Sequence, residues 1–200
     1  MLRRHSRGNA GFSVIELMLT VALIAILIVL VIPSFGKWTA DAHVRSAAES
    51  LANAIRLAQS TAVAKGRTSL FALTSDAPPT VSSPPVTNAP NWFAVLNVLG
   101  GSDETRATLG LMLKSTEGTQ HNVTVAGPAL TCFNALGRQT ALAATANSLS
   151  AACSVADPAI YKVASNSSAS RYFNVLVYAG GRVRMCDAAK VLSSTAPDGC

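Results

Sequence analysis

One carboxylate lies at the start of a long apolar run. The run extends from Leu17 to Ile32 with Thr20 as its single polar residue, and no charge follows Glu16 until Lys37. A charge inside a membrane-spanning segment costs about 2.5–3.5 kcal/mol on insertion scales, so such a residue is by default functional and has a partner. Glu16 is therefore the first candidate functional residue, and the chemistry it offers is the pairing of its anion with a cation.

A second group of candidate residues is basic and lies towards the C-terminal end. Arg182 and Arg184 are two apart on a predicted strand, so their side chains leave the same face roughly 6–7 Å apart and suit neighbouring phosphates. Arg171, Lys162 and Lys190 are near enough in sequence to join one positive patch. Such a patch predicts salt-dependent, sequence-indifferent nucleic-acid binding. Arginines alternating with apolar residues are also typical of a solvated sheet face, and both interpretations stay open.

The four cysteines, Cys132, Cys153, Cys186 and Cys200, suggest cross-links rather than a metal site. None of them has C-x-x-C spacing, which argues against metal ligation. Of the three possible connectivities we favour Cys132 with Cys153 and Cys186 with Cys200, because each pair is nearest in sequence. The second bond would fasten the C-terminal tail.

Enzyme motifs are missing from the sequence. It has no G-x-S-x-G and no P-loop, and the S-x-x-K at residues 34–37 lacks the companion motifs of that chemistry. His5, His43 and His121 are scattered, with no acid or cysteine at metal-ligand spacing. We predict a protein that is not an enzyme and that needs no cofactor and no metal.

The elements that position these residues begin with one long helix. The apolar run exceeds a secretory h-region and is long enough to cross about 30 Å of hydrocarbon. Beyond it, apolar residues recur at steps of three and four from Val44 to Ala62, which predicts a continuing amphipathic helix. Lys65 and Gly66 provide its end. We predict about fifty helical residues: a transmembrane and assembly part at 12–35 and an amphipathic part at 36–66.

The rest of the chain, residues 67–200, has a β pattern. Phe173, Val175 and Val177 alternate with other residues before Gly180-Gly181, which predicts a strand and a hairpin turn. The fold class is therefore α+β, with a long N-terminal helix packed on a C-terminal antiparallel β domain. The predicted strands are 68–73, 92–99, 108–114, 122–125, 131–134, 160–163, 171–178 and 182–186.

The N-terminal residues match a processing signal. Gly11, Phe12 and Glu16 follow a basic leader, residues 1–11, and together resemble the signal of type IV prepilins and type II secretion pseudopilins. The resemblance implies that a prepilin peptidase cuts after Gly11 and methylates the new amine of Phe12. It also implies that Glu16 pairs with the amine of a neighbouring subunit during filament assembly.

Two further motifs narrow the resemblance. Residues 133–138 have the pattern F-x-x-x-G-R, and the last hairpin carries Gly181-Arg182-Val183-Arg184. With the strand order and the terminal cysteine pair, they resemble the GspH/FimT family of minor pilins and pseudopilins, which implies a type IV pilin-like fold. The G-R-x-R element is similar to that of FimT proteins that bind DNA for natural transformation, which implies double-stranded DNA as a partner.

The charge pattern predicts the topology. The basic leader stays cytoplasmic by the positive-inside rule, so the chain spans the bacterial inner membrane once with a periplasmic C-terminal domain, where disulfides persist. Loss of Arg3, Arg4 and Arg7 with the leader lowers the net charge from +6 to +3, which is too small to argue for nucleic acid by itself. After assembly the protein would belong to a pilus or pseudopilus.

The function that these features favour is that of a non-enzymatic minor pilin of a type IV pilus, FimT/FimU-like, held in the pilus or its tip complex. Its partners would be the prepilin peptidase, other major and minor pilins or pseudopilins, and the inner membrane. Three alternatives stay open: the minor pseudopilin H of a type II protein secretion system, a DNA-binding minor pilin for natural transformation, and a single-pass membrane protein that never polymerises.

Overall fold

The computed structural model describes residues 13–100, 103–166 and 171–200, apart from the side chains of residues 29–34. The predicted cleavage site at Gly11 and Phe12 therefore lies outside the described residues. The chain divides into two compact units, Met1–Trp38 and Thr39–Cys200. Helix α1 (Val14–Lys65, 52 residues) contributes residues to each.

The described side chains of the first unit are exposed. From residue 13 to residue 28 every side chain is open to solvent, although most are large and apolar. Phe35 and Trp38 pack edge to face, with ring centroids 5.8 Å apart. In the part of the chain that the structure describes, no helix has a stretch long and apolar enough to cross a membrane. Phe12 and the side chains of 29–34, which belong to the predicted span, are not among the described groups.

In the second unit, one stripe of α1 faces the sheets. Its residues recur at steps of three and four, as the sequence predicts, and several are alanines that let strands approach the helix closely. The apolar side chains that α1 buries are Val44, Ala47, Ala48, Leu51, Ala52, Ala54, Ile55, Ala58 and Ala62.

Eight strands form two four-stranded antiparallel sheets. The first sheet has the order β3-β2-β1-β5 and the second β4-β6-β7-β8. The α+β class, a long helix packed on antiparallel sheets, is confirmed. The strands are β1 (Ser69–Thr74), β2 (Asn91–Leu96), β3 (Leu113–Ser115), β4 (Val123–Ala126), β5 (Leu130–Phe133), β6 (Ala159–Ser165), β7 (Phe173–Val177) and β8 (Val183–Asp187).

The first sheet is covered on both faces. Phe71 and Trp92 belong to the main core with α1, whereas Leu70 and Phe93 belong to a second buried cluster on the other face. This second cluster includes the disulfide-bonded Cys132. Strand β1 is consequently buried along its whole length and shows no alternation of burial.

The prediction of a strand over 108–114 was wrong for its first five residues. Residues Arg106–Leu109 form a short helix, α2, and the strand begins only at Leu113. The cause is a capping box: the Thr105 hydroxyl accepts from the Thr108 backbone N–H, and the Thr108 hydroxyl caps the backbone of Thr105. Two further short helices were not predicted, α3 (Glu117–His121) and a 3-10 turn (Ala144–Ala146).

The second sheet buries one face in the core, and its other face is only partly exposed. Phe173, Val175 and Val177 point into the core, as their alternation predicts. The residues between them, with those opposite on β6 and β8, form what we call the outer face. In register across β6, β7 and β8, its rows are Ile160, Leu176 and Arg184, and then Lys162, Asn174 and Cys186.

Candidate functional site

Glu16 lies in the first turn of α1. Its backbone N–H donates to the Ser13 carbonyl at 3.1 Å, and its side chain is exposed. Within the described residues the carboxylate of Glu16 makes no hydrogen bond or ion pair. The carboxylate is therefore available to a partner.

Two of the five candidate cations rest on tyrosines. The Lys162 ammonium lies 4.2 Å from the centre of the Tyr172 ring, and the Arg182 guanidinium lies 4.1 Å from that of Tyr178. Both cations are exposed. Cation–π contact holds each charge in place without neutralising it. Tyr172 and Tyr178 flank strand β7, so the two pairs lie about 20 Å apart along it.

Arg184 has a different role, because it holds the C-terminal tail. Its Nη2 donates to the carbonyl oxygen of Gly199 at 2.6 Å and to that of Pro197 at 3.2 Å. The side chain is half-buried. Arg182 and Arg184 are thus not an equivalent pair: one is exposed beside a hairpin turn and the other is bonded to backbone carbonyls.

Lys190 is paired within the same tail. Its ammonium contacts the Asp198 carboxylate, and this hydrogen bond is the main reason that the pKa of Asp198 is lowered from its ordinary value. Both side chains are exposed, so the pair adds little stability, but it cancels most of the local charge of Lys190.

Arg171 lies apart from the outer face. Its Nη1 is 3.8 Å from Oδ2 of Asp187, a carboxylate that is only 3% exposed and belongs to the core-facing row of β8. The backbone N–H of Arg171 donates to Asp41 on α1 at 2.7 Å. The structure therefore does not bring Arg171 together with Lys162 and Arg182 on one face.

Both predicted disulfides are present in the structure. Cys132 is bonded to Cys153 beneath the first sheet, and Cys186 on β8 is bonded to Cys200 in the tail. The second bond, the Arg184 contacts and the pairing of Asp187 with Gly199 fix the tail against the edge of β8.

The two glycine motifs meet at one end of the domain. Gln59 on α1 donates its amide to the carbonyl oxygens of Gly137, at 2.8 Å, and Gly181, at 2.6 Å. Gly137 and Gly181 both have positive φ, and a Cβ on Gly181 would collide with the Gly137 carbonyl. The Gln59 side chain thus bonds to both the F-x-x-x-G-R segment, residues 133–138, and the β7–β8 turn.

Two arginines that were not predicted as site residues lie beside this contact. Arg138 directly follows Gly137 and is exposed. Arg56 on α1 donates to the Val183 carbonyl at 3.3 Å, next to Arg182. The F-x-x-x-G-R motif contains Arg138, so a signal existed, but its proximity to Arg182 depends on the fold.

Among residues 13–100, 103–166 and 171–200, no group of three or more His, Cys, Asp or Glu side chains could hold a metal ion. His43 on α1 and His121 at the end of α3 stack in parallel, with ring centroids 4.3 Å apart.

Comparison with known proteins gives a distant likeness. Two crystal structures of the type IV minor pilin FimU from Pseudomonas aeruginosa strain PAO1, in space groups P65 and P21, are each 17% identical in sequence and each match over 78% of this chain. The matches cover 98% and 94% of the respective FimU chains, with TM-scores of 0.46 and 0.47. No family model and no curated protein matches this sequence.

Proposed function

We propose that this protein is a non-enzymatic minor subunit of a type IV pilus or a related filament, assembled through the first half of α1. The observation that carries the proposal is the described part of α1 from residue 14 to residue 28, whose apolar side chains are all exposed while Glu16 is its single charge. A helix that is apolar all round needs a partner surface, either lipid or neighbouring helices.

Assembly would use the sequence signal at Gly11, Phe12 and Glu16. Cleavage after Gly11 frees a positive amine on Phe12, which the peptidase methylates. In a filament core, Glu16 of one subunit accepts that amine from its neighbour, and the apolar surroundings strengthen the attraction. Leaving either charge unpaired there is strongly unfavourable, so the pair favours one register between subunits.

Before assembly the subunit would sit in the bacterial inner membrane. Arg3, Arg4 and Arg7 keep the leader on the cytoplasmic side, and the β domain with its disulfides faces the periplasm. The prepilin peptidase and sibling pilins are the partners that this cycle requires. A pseudopilus of a type II secretion system would use the same cycle.

Mass spectrometry of the protein from cells with and without the prepilin peptidase tests this proposal. With the peptidase we expect an N-terminus at N-methylated Phe12, and without it the leader should remain. A Gly11→Val variant should also keep its leader, whereas Gly8→Val, inside the leader, should be processed normally. A mature protein that begins elsewhere, or that lacks the methyl group, would overturn the proposal.

A second candidate function is the binding of double-stranded DNA by the assembled subunit. It is favoured by Arg182 and Lys162, which are exposed and held over tyrosine rings. We expect the full chain in detergent micelles to bind a mixed-sequence DNA duplex with an affinity that falls steeply with salt, because phosphate contacts release counterions. Fluorescence anisotropy at two salt concentrations measures this.

A further inference from the structure

We infer that DNA phosphates are contacted by a cluster of three arginines, Arg56, Arg138 and Arg182, at the β7–β8 turn, and that Arg184 anchors the tail instead. We call the three residues the hairpin-end cluster. The inference rests on the second candidate function proposed above, and it specifies which side chains carry that function.

Backbone contacts bring Arg138 to Arg182. The Gly137 carbonyl abuts Gly181, and the Gln139 N–H donates to the Ala179 carbonyl at 3.1 Å. The segment around Arg138 therefore packs directly against the turn. These contacts place Arg138, between Gly137 and Gln139, beside the turn that leads into Arg182.

Both arginines point away from the core. Gln139, the neighbour of Arg138, is buried and donates to the Val177 carbonyl at 2.6 Å, so Arg138 projects outwards. Arg182 is exposed and is held over the Tyr178 ring. No carboxylate is paired with either arginine in the described part of the chain. Each guanidinium can therefore offer a fork of donors to phosphate oxygens.

Arg56 adds a third charge from the helix. Its guanidinium bonds to the Asn53 side chain at 3.1 Å and to the Val183 carbonyl at 3.3 Å, which fixes it beside the start of β8. Neither partner is charged. Three elements that are distant in sequence, α1, the 134–138 turn and the β7–β8 hairpin, thus place cations at one end of the domain.

One carboxylate lies beside this cluster. Oδ1 of Asp157 accepts from the backbone N–H of Ala179 in the turn, at 3.1 Å. Its negative charge opposes phosphate binding. Asparagine at position 157 keeps the accepting oxygen and removes the charge, so Asp157→Asn should strengthen binding without disturbing the turn.

Arg184 does not belong to the cluster. Its Nη2 donates to Gly199 and Pro197, and reaching a phosphate would break these bonds and release the tail from β8. Lys190 is matched by Asp198, Arg171 lies near Asp187, and Lys162 lies about 20 Å from Arg182 along β7, beside Tyr172. The five cations selected from the sequence therefore contribute one member, Arg182.

The salt dependence of DNA binding tests the assignment. Each phosphate contact contributes about 0.9 to the slope of log affinity against log salt, so three contacts predict an affinity loss of about fortyfold between 50 and 200 mM salt. Arg138→Gln, Arg56→Gln and Arg182→Gln, each in the full chain in micelles, should weaken binding and reduce that loss to about twelvefold. Lys114 is an exposed lysine on the first sheet and serves as a control. The Arg184→Gln and Lys114→Gln variants should keep the affinity loss between 50 and 200 mM salt near fortyfold.

The outcomes separate the two proposals. If the wild-type protein shows no salt-dependent DNA binding, both the DNA function and the cluster are overturned. If the wild type binds but Arg138→Gln and Arg56→Gln keep the wild-type slope, only the cluster is overturned. A slope reduced by Arg184→Gln with the tail still protease-resistant would also overturn the assignment, and a raised affinity of Asp157→Asn would support it.

Discussion

The carbonyl oxygen of Gly137 occupies the space that a side chain on Gly181 would need. These two glycines come from motifs that are far apart in sequence, F-x-x-x-G-R and G-R-x-R, and Gln59 bonds to the carbonyl oxygens of both. The motifs therefore have a structural role that is independent of any charge on their arginines: they lock the last hairpin onto the helix.

The first prediction concerns Gly181 and its neighbour. Gly181→Ala forces a side chain into positive φ, which alone costs about 1–3 kcal/mol, and drives its Cβ into the Gly137 carbonyl. We expect a clear fall in the unfolding temperature. Circular dichroism of the protein in micelles measures it. Gly180→Ala is the matched control, because nothing lies within 4 Å of its Cβ position and φ is not positive. Equal stability of the two variants would contradict the close contact.

The second prediction concerns the Gln59 amide. Gln59→Leu keeps a helix-compatible apolar stem but leaves two carbonyl oxygens without their donor, which should cost about 1–3 kcal/mol of unfolding free energy. Ser60→Ala, next to it on an exposed face, should be nearly neutral because its hydroxyl bonds only within the helix. Urea unfolding followed by tryptophan fluorescence makes the comparison. If Gln59→Leu also proves neutral, Gln59 does not hold the hairpin.

Regular elements with one buried face could be predicted from the sequence. The stripe from Val44 to Ala62 has the helical period, and Phe173, Val175 and Val177 have the strand period, so α1 and β7 follow from the pattern alone. The strand predicted at 108–114 failed because local side-chain capping by Thr105 and Thr108 decided the structure of the first residues.

The composition of the hairpin-end cluster could not be predicted. Arg138 and Arg182 are brought together by contacts between backbone groups, and a carbonyl acceptor has no signature in the sequence. For the same reason, the bonds of Arg184 to the tail carbonyls were not foreseen. Spacing along one predicted strand suggested that Arg182 and Arg184 share a face, but it could not distinguish an exposed cation from a bonded one, and the strand itself begins only at Val183.

A third prediction concerns the fastened tail. Replacing Cys186 and Cys200 by alanine removes a cross-link between residues 14 apart, for which the chain-entropy model gives roughly 3 kcal/mol. We expect a protease to remove the tail from the variant under conditions in which the wild type stays intact, as followed by mass spectrometry. Arg184→Gln should produce a smaller effect in the same direction. A tail that resists cleavage in the double variant would show that the disulfide is not what holds it.

The fourth prediction is a pH dependence that arises from Tyr161. Its phenol is fully buried beside Thr131, with the two oxygens 2.6 Å apart, and burial raises its pKa far above the ordinary value. In the unfolded chain the same phenol ionises near pH 10, so the stability that it contributes is complete below that pH and is lost as the pH rises further. The unfolding free energy should fall by up to about 1.4 kcal/mol per pH unit from this group.

A comparison with Tyr161→Phe isolates the contribution of this phenol to the pH dependence of the unfolding free energy. The variant lacks the titrating group, so the difference in unfolding free energy between wild type and variant should be constant below about pH 10 and shrink above it. Chemical unfolding at a series of alkaline pH values provides the measurement. A difference that stays constant across this range would mean that the phenol ionises in the folded state as easily as in the unfolded one.

Filament assembly, as proposed, depends most directly on the charge of Glu16. Glu16→Gln keeps the shape of the side chain and removes only the anion, so an uncharged amide would face the neighbouring subunit's amine. We expect the variant to be processed and folded like the wild type but to be nearly absent from filaments sheared from cells, as measured by immunoblot of the sheared fraction against the membrane fraction. Recovery of Glu16→Gln in filaments at the wild-type level would contradict assembly through this pair.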